Sequence, residues 1–131
     1  MYDNLPKNER SFDLDVTGDT TGISYKGTFT VKCVLNMTGR HALELEKTRL
    51  MADYANPSTG LAGIAIALSS IRAKIVVGPA WWKDSDKGST IIDENVVMAL
   101  YDECNKAETA WRDSLKKDAE EAQKGNVPKE S

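Results

Sequence analysis

The spacing of apolar residues changes once along this chain, and that change limits the folds open to it. From Phe12 to Leu35 apolar residues fall largely on alternate positions, whereas from Leu43 onward they recur every three or four. Alternation buries one face of a strand, and the longer period buries one face of a helix. Phe12, Leu14 and Val16 therefore share one face of a strand starting at Ser11, with Ser11, Asp13, Asp15 and Thr17 on the other. The run Gly18 to Gly22 reads as a turn. Beyond it Ile23, Tyr25, Phe29, Val31, Cys33 and Leu35 mark a longer second strand. Pairing Val16 with Ile23 and Leu14 with Tyr25 sets Asp13 opposite Lys26, a favourable cross-strand charge pair.

A lone hairpin is marginal, so its apolar face needs helices to cover it. The first is expected from Arg40 to Tyr54, where Leu43, Lys47, Leu50, Met51 and Tyr54 recur before Ala55-Asn56-Pro57-Ser58 breaks the pattern. Ser58 or Thr59 can cap a second, whose stripe is Leu61, Ile64, Leu68, Ile71 and Ile75. The other faces of its first half are also apolar or small, through Ala62, Gly63, Ala65, Ile66 and Ala67, so it wants contacts nearly all round. Gly78-Pro79 is expected to end it. Asp93 is a plausible cap for a third and longest helix with Val97, Leu100, Cys104, Ala107 and Trp111 on one face. The expected fold class is α+β, an N-terminal antiparallel β-hairpin packed on about three α-helices. The expected organisation is a flexible arm over 1–10, one domain over 11–115, and a charged helix end and tail over 116–131.

The 131 residues suit one domain that buries roughly two-thirds of its unfolded surface. With 40 % hydrophobic and 28 % charged residues, the composition excludes wholesale disorder. LAGIAIAL is too short for a membrane span before Ser69, Ser70, Arg72 and Lys74 intervene. A net charge of -3 with no basic patch argues against nucleic acid as a partner. Cys33 and Cys104 fall in apolar patterns and no leader sequence precedes them, as for reduced, buried thiols in a cytosolic protein.

Chemistry-bearing residues do not converge. Asp13 and Asp15 make a D-x-D, but they are simply the polar half of an alternating strand and lack a third carboxylate beyond Asp19 in the turn. His41 is the sole histidine and begins a helix, away from any Cys or carboxylate cluster. Gly60-Leu61-Ala62-Gly63 lacks the spacing of a phosphate-binding loop and fits close approach of a second backbone better. No catalytic residue, metal site or cofactor is expected, and the chain does not read as an enzyme. The least ordinary feature is Trp81-Trp82, two adjacent large rings of which one can complete the core while the other offers a rigid anchor to a partner.

Three segments in this order, YKGTFTVKCVL, LAGIAIALSSIRAKIVVGPAWW and IIDENVVMALYDECNKAETAW, carry a family resemblance. Over about Ile23 to Trp111 the chain resembles the tail assembly chaperones of long-tailed bacteriophages. The resemblance rests on Tyr25, Gly27, Phe29 and Val31 in a strand, on the run Gly78-Pro79-Ala80-Trp81-Trp82, and on Asp93-Glu94-Asn95-Val96 opening a helix that contains Glu108 and Trp111. It implies a protein of the host bacterial cytoplasm that coats the tape measure protein, or another tail protein, during assembly and is absent from the mature virion. Leu61, Ile64, Ile66, Leu68, Trp81 and Trp82 are the residues expected to contact such a partner, or a second copy in a homo-oligomer. The rival expectations are a structural virion protein, such as a head-tail connector or tail-tube accessory, and a small phage enzyme or nucleotide-binding protein with a site built from scattered carboxylates.

Overall fold

A computed structural model describes residues 5–52 and 59–126, with side chains described except for those of 59–61, 119 and 121–126. The chain is α+β: strands β1 (Glu9–Thr17) and β2 (Ser24–Lys32) form an antiparallel hairpin, and helices α1 (Met37–Met51) and α2 (Thr59–Lys74) follow. A short strand β3 (Ile75–Val77), a five-residue helix α3 (Ala80–Asp84) and the long helix α4 (Glu94–Asn126) complete it. The sheet order is β1-β2-β3. Its inner face supplies Leu14, Phe29, Val31 and Cys33 to the core. Against these pack Ala67, Leu68 and Ile71 of α2, Trp82 of α3, and Val97, Leu100, Cys104, Ala107 and Trp111 of α4. The α4 stripe is the one its sequence period predicts, and α4 is the longest helix.

Four local expectations need correction. The hairpin register is two residues further open: Val16 faces Tyr25, Leu14 faces Gly27, and it is Asp15 that faces Lys26. A two-residue shift keeps every side chain on its face, so the hydrophobic pattern could not tell the two registers apart. The loop decides between them. Gly18 N–H donates to Ile23 O at 2.8 Å and Gly22 N–H to Gly18 O at 3.0 Å, holding Ile23 in the loop, where it is exposed. Asp13 instead accepts a bond from the Thr28 hydroxyl across the strands.

β1 also starts before the expected arm has ended, since Glu9 and Arg10 are already paired with Lys32 and Val31. Asn8 explains this: its side-chain amide donates to Val34 O at 2.9 Å and accepts from Val34 N–H at 2.8 Å, extending the rungs of the hairpin by one side chain. Pro6 O accepts a bond from the Trp111 indole N–H.

α2 ends at Lys74 rather than at Gly78-Pro79, because the β-branched run Ile75-Val76-Val77 pairs with Thr30 and Val31 as a third strand. α1 begins at Met37, capped by Asn36, whose side chain accepts the Gly39 N–H at 2.8 Å. It stops at Met51, so the expected Tyr54 end falls outside the described residues.

Two glycines permit close crossings. A Cβ on Gly27 would sit 2.5 Å from Pro79, which lies against β2, and one on Gly78 would sit 2.8 Å from the Trp82 ring. The Gly-Pro-x-Trp-Trp run is thus a tight crossing that delivers α3 onto the inner face of the sheet.

Candidate functional site

The helix expected to want contacts all round has them over only part of its length. From Ala65 onward α2 sits in the core, with Ala67, Leu68, Ser69, Ile71 and Lys74 buried. Ile64, just before that stretch, and Ile66, between the buried Ala65 and Ala67, are 36 % and 40 % exposed. A Cβ on Gly63 would meet no atom within 4 Å, so its smallness serves no neighbour among the described residues. The neighbouring α1 gives little cover: it packs along α2 but has no buried residue, and its Met37 and Leu45 are exposed. Among the described residues the turn from Gly63 to Ile66 therefore overhangs the core, with Ile64 and Ile66 partly uncovered. Its sequence explains the helix, since alanine and leucine carry little entropic penalty there, but burial accounts for only its second half.

The six residues expected at a contact surface divide. Ile64 and Ile66 lie on the exposed turn, and the Leu61 side chain falls outside the described residues. Leu68 and Trp82 are core residues, at 8 % and 4 % exposure, and neither can reach a partner while the fold is closed. Successive positions in α3 diverge by about 100°, which separates the two tryptophans. Trp82 meets Phe29 edge-on at 6.0 Å between ring centroids. Trp81 is half-buried, lies edge-on to Tyr25 at 5.0 Å and to Phe29 at 5.4 Å, and donates its indole N–H to Lys26 O at 2.9 Å. Its polar handle is already engaged within the chain.

Asp93 and Asn95, which the sequence places at the start of a helix, also bind the hairpin loop to that helix. Asp93 does not cap α4 with its side chain. Its fully buried carboxylate faces the hairpin loop and accepts the Thr20 and Thr21 N–H groups, each at 2.8 Å, and the Thr21 hydroxyl at 2.6 Å. The Tyr25 hydroxyl reaches the same carboxylate at 3.4 Å. The Thr21 hydroxyl is the largest influence on its pKa, and together with the two amides and Tyr25 it outweighs burial and holds the group below the usual aspartate range. Asn95 accepts from Asp19 N–H and donates to Thr17 O. A Cβ on Gly18 would fall 2.2 Å from the Asp93 carboxylate, so glycine is required there. An acid three residues into the motif Ile-Ile-Asp-Glu-Asn reads locally as a helix cap, and nothing local points to a loop more than 70 residues away.

A second polar cluster joins α2 to α4. Lys74, 6 % exposed, donates to Glu108 Oε1 at 2.8 Å, while Arg112 Nε donates to Oε2 at 3.2 Å. Burial alone would raise the Glu108 pKa, but Lys74 and Arg112 together bring it below the usual glutamate range. Of the thiols, burial pushes Cys104 up to about 12 and raises Cys33 as well, with Arg10 opposing at Cys33. Both are therefore protonated and poorly suited to nucleophilic chemistry near neutral pH.

Among the described residues no three His, Cys, Asp or Glu side chains gather as metal ligands, and no helix is long and apolar enough to cross a membrane. No family model, curated protein or solved structure matches the chain.

Proposed function

We propose that the protein is a tail assembly chaperone that binds an extended helical partner, the tape measure protein or another tail protein, through the overhanging turn of α2. The observation that carries this reading is the exposure of Ile66 on the same face as Gly63, whose Cβ position meets no described atom, with Ile64 exposed on the other side of that turn and the second half of the helix in the core. An apolar helix surface with a small residue in it lets a second helix approach closely and exchange water for side-chain contact. The family resemblance supplies the partner class. The reaction is reversible association with no bond made or broken, and the same surface suits self-association when the partner is absent. Trp81 and Trp82 act in this reading by fixing α3 and the end of α2 rather than by touching the partner.

The test is co-expression with the neighbouring long helical tail protein, followed by pull-down and light scattering. Wild type should keep that partner soluble in a defined complex. The double variant Ile64→Asp, Ile66→Asp should stay folded by circular dichroism and lose the complex. If wild type instead fails to bind and is recovered in purified virions, a permanent structural role replaces the chaperone reading.

A further inference from the structure

A cleft of about 290 Å³ opens between α1, α2 and α4 on the side of the Lys74–Glu108 pair. Arg40 from α1, Lys74 from α2, and Glu108 and Arg112 from α4 line it, so three cationic side chains share the space with one carboxylate. This is out of keeping with a chain whose net charge is -3. Both oxygens of Glu108 are already engaged, by Lys74 and by Arg112 Nε. The remaining donors of Arg112, the whole Arg40 guanidinium and two of the three Lys74 N–H groups have no hydrogen-bond acceptor or ion-pair partner among the described residues. Lys74 is the most buried of the three cations, and Glu108 is its one protein acceptor among the described residues. Asn105 and Tyr101 add polar lining, while Val34, Leu35 and Leu43 make an apolar wall.

From this geometry we infer that the cleft binds a carboxylate carried on a short aliphatic stem. An arginine fork can bind an oxyanion through two N–H groups, and the buried lysine adds a compact point charge to the same cleft. The apolar wall of Val34, Leu35 and Leu43 suits a short aliphatic stem. The volume lies at the lower limit of sites for drug-sized molecules, which excludes a nucleotide-sized cofactor and suits a small dicarboxylate or the end of an acidic side chain on a partner. The inference stands apart from the proposed function, since it concerns the last turns of α2 rather than the turn that carries Ile64 and Ile66, and can hold whichever partner that turn takes.

Two probes test it by amide chemical shifts in the full chain: sodium glutarate, and a soluble helical peptide bearing spaced glutamates, each against sodium chloride at matched ionic strength. Saturable shifts clustered at Arg40, Lys74, Glu108 and Arg112 are expected, with affinity weakened at least tenfold in Arg40→Gln and in Arg112→Gln. Both arginines are solvent-exposed, and each variant is expected to keep the wild-type spectrum elsewhere. Peptide binding more than tenfold tighter than glutarate identifies a partner's side chain as the source, and comparable affinities identify a free small carboxylate. Shifts that sodium chloride reproduces, or binding unchanged in both arginine variants, overturn the site.

Discussion

The two ends of this molecule are held by different means. At one end the hairpin loop is fastened to the start of α4 by a buried aspartate that accepts three bonds from Thr20 and Thr21, by Asn95, and by a glycine that leaves room for the carboxylate. At the other, α1 lies on α2 with no buried residue, and the first turns of α2 carry exposed isoleucines. Side-chain bonds to charged acceptors fix geometry narrowly, whereas half-exposed apolar contacts can be exchanged for others at small expense. A protein that trades partners would place its exchangeable surface at the second kind of end. The comparison can be broken by showing that the two ends respond alike to mutation.

The largest contrast is predicted at the tryptophan pair's buried member. Trp82→Ala removes a ring that is 4 % exposed and packed on Phe29, and should destabilise by about 3–5 kcal/mol in urea unfolding, a large share of the stability of a domain this size. Such a variant is unsuitable for testing partner binding, because it tests folding first. At the fastened end, Asp93→Asn should lower the urea midpoint at pH 7 by less than this, yet more than any substitution on the overhang. Its pH dependence is the sharper signature. The folded pKa of Asp93 is depressed, so its stabilisation is complete above the ordinary aspartate value of about 3.9 and is lost as pH falls through the lower folded value. Wild type and Asp93→Asn should therefore differ at pH 7 and converge under acid conditions below about pH 4. Glu108→Gln leaves Lys74 buried without its counter-charge. With Glu108 a third exposed, the loss should be about 1–2 kcal/mol rather than the full value for a buried pair.

Much of the fold was legible because it rests on period. The strand faces and the α4 stripe from Val97 to Trp111 follow directly from spacing, and so does the α+β class. What spacing missed lies where a distant contact overrides it. The hairpin register turned on the loop from Gly18 to Ile23, which Asp93 binds from more than 70 residues away, and the helix end moved from Gly78 to Lys74 because β2 offered Ile75-Val76-Val77 a partner. The surface was legible in part for the same reason. An all-apolar helix segment announces that it will be covered, and cannot say whether fully by the core, as for Leu68, or only in part by the described residues, as for Ile66. The cationic cleft was not legible at all, since Arg40, Lys74 and Arg112 come from three helices and each looks like an ordinary solvated residue in its own segment.

The smallest effect is the one that separates the two ends most cleanly. Ile66 is 40 % exposed, so replacing it by aspartate removes only part of the burial lost at Trp82 and puts the new charge where water reaches it. Ile66→Asp should therefore cost about 1 kcal/mol in urea unfolding, well short of the loss expected for Trp82→Ala. Amide hydrogen exchange adds the second half of the test. Amides of α1 and of the α2 overhang should exchange through local opening well before those of α4 between Val96 and Ala107, whose side chains are largely buried. Binding of the helical partner should then slow exchange at the overhang in wild type and leave it unchanged in Ile66→Asp. If Ile66→Asp instead destabilised the fold as Trp82→Ala does, the overhang would be part of the core, and the distinction between a fastened end and an exchangeable one would disappear.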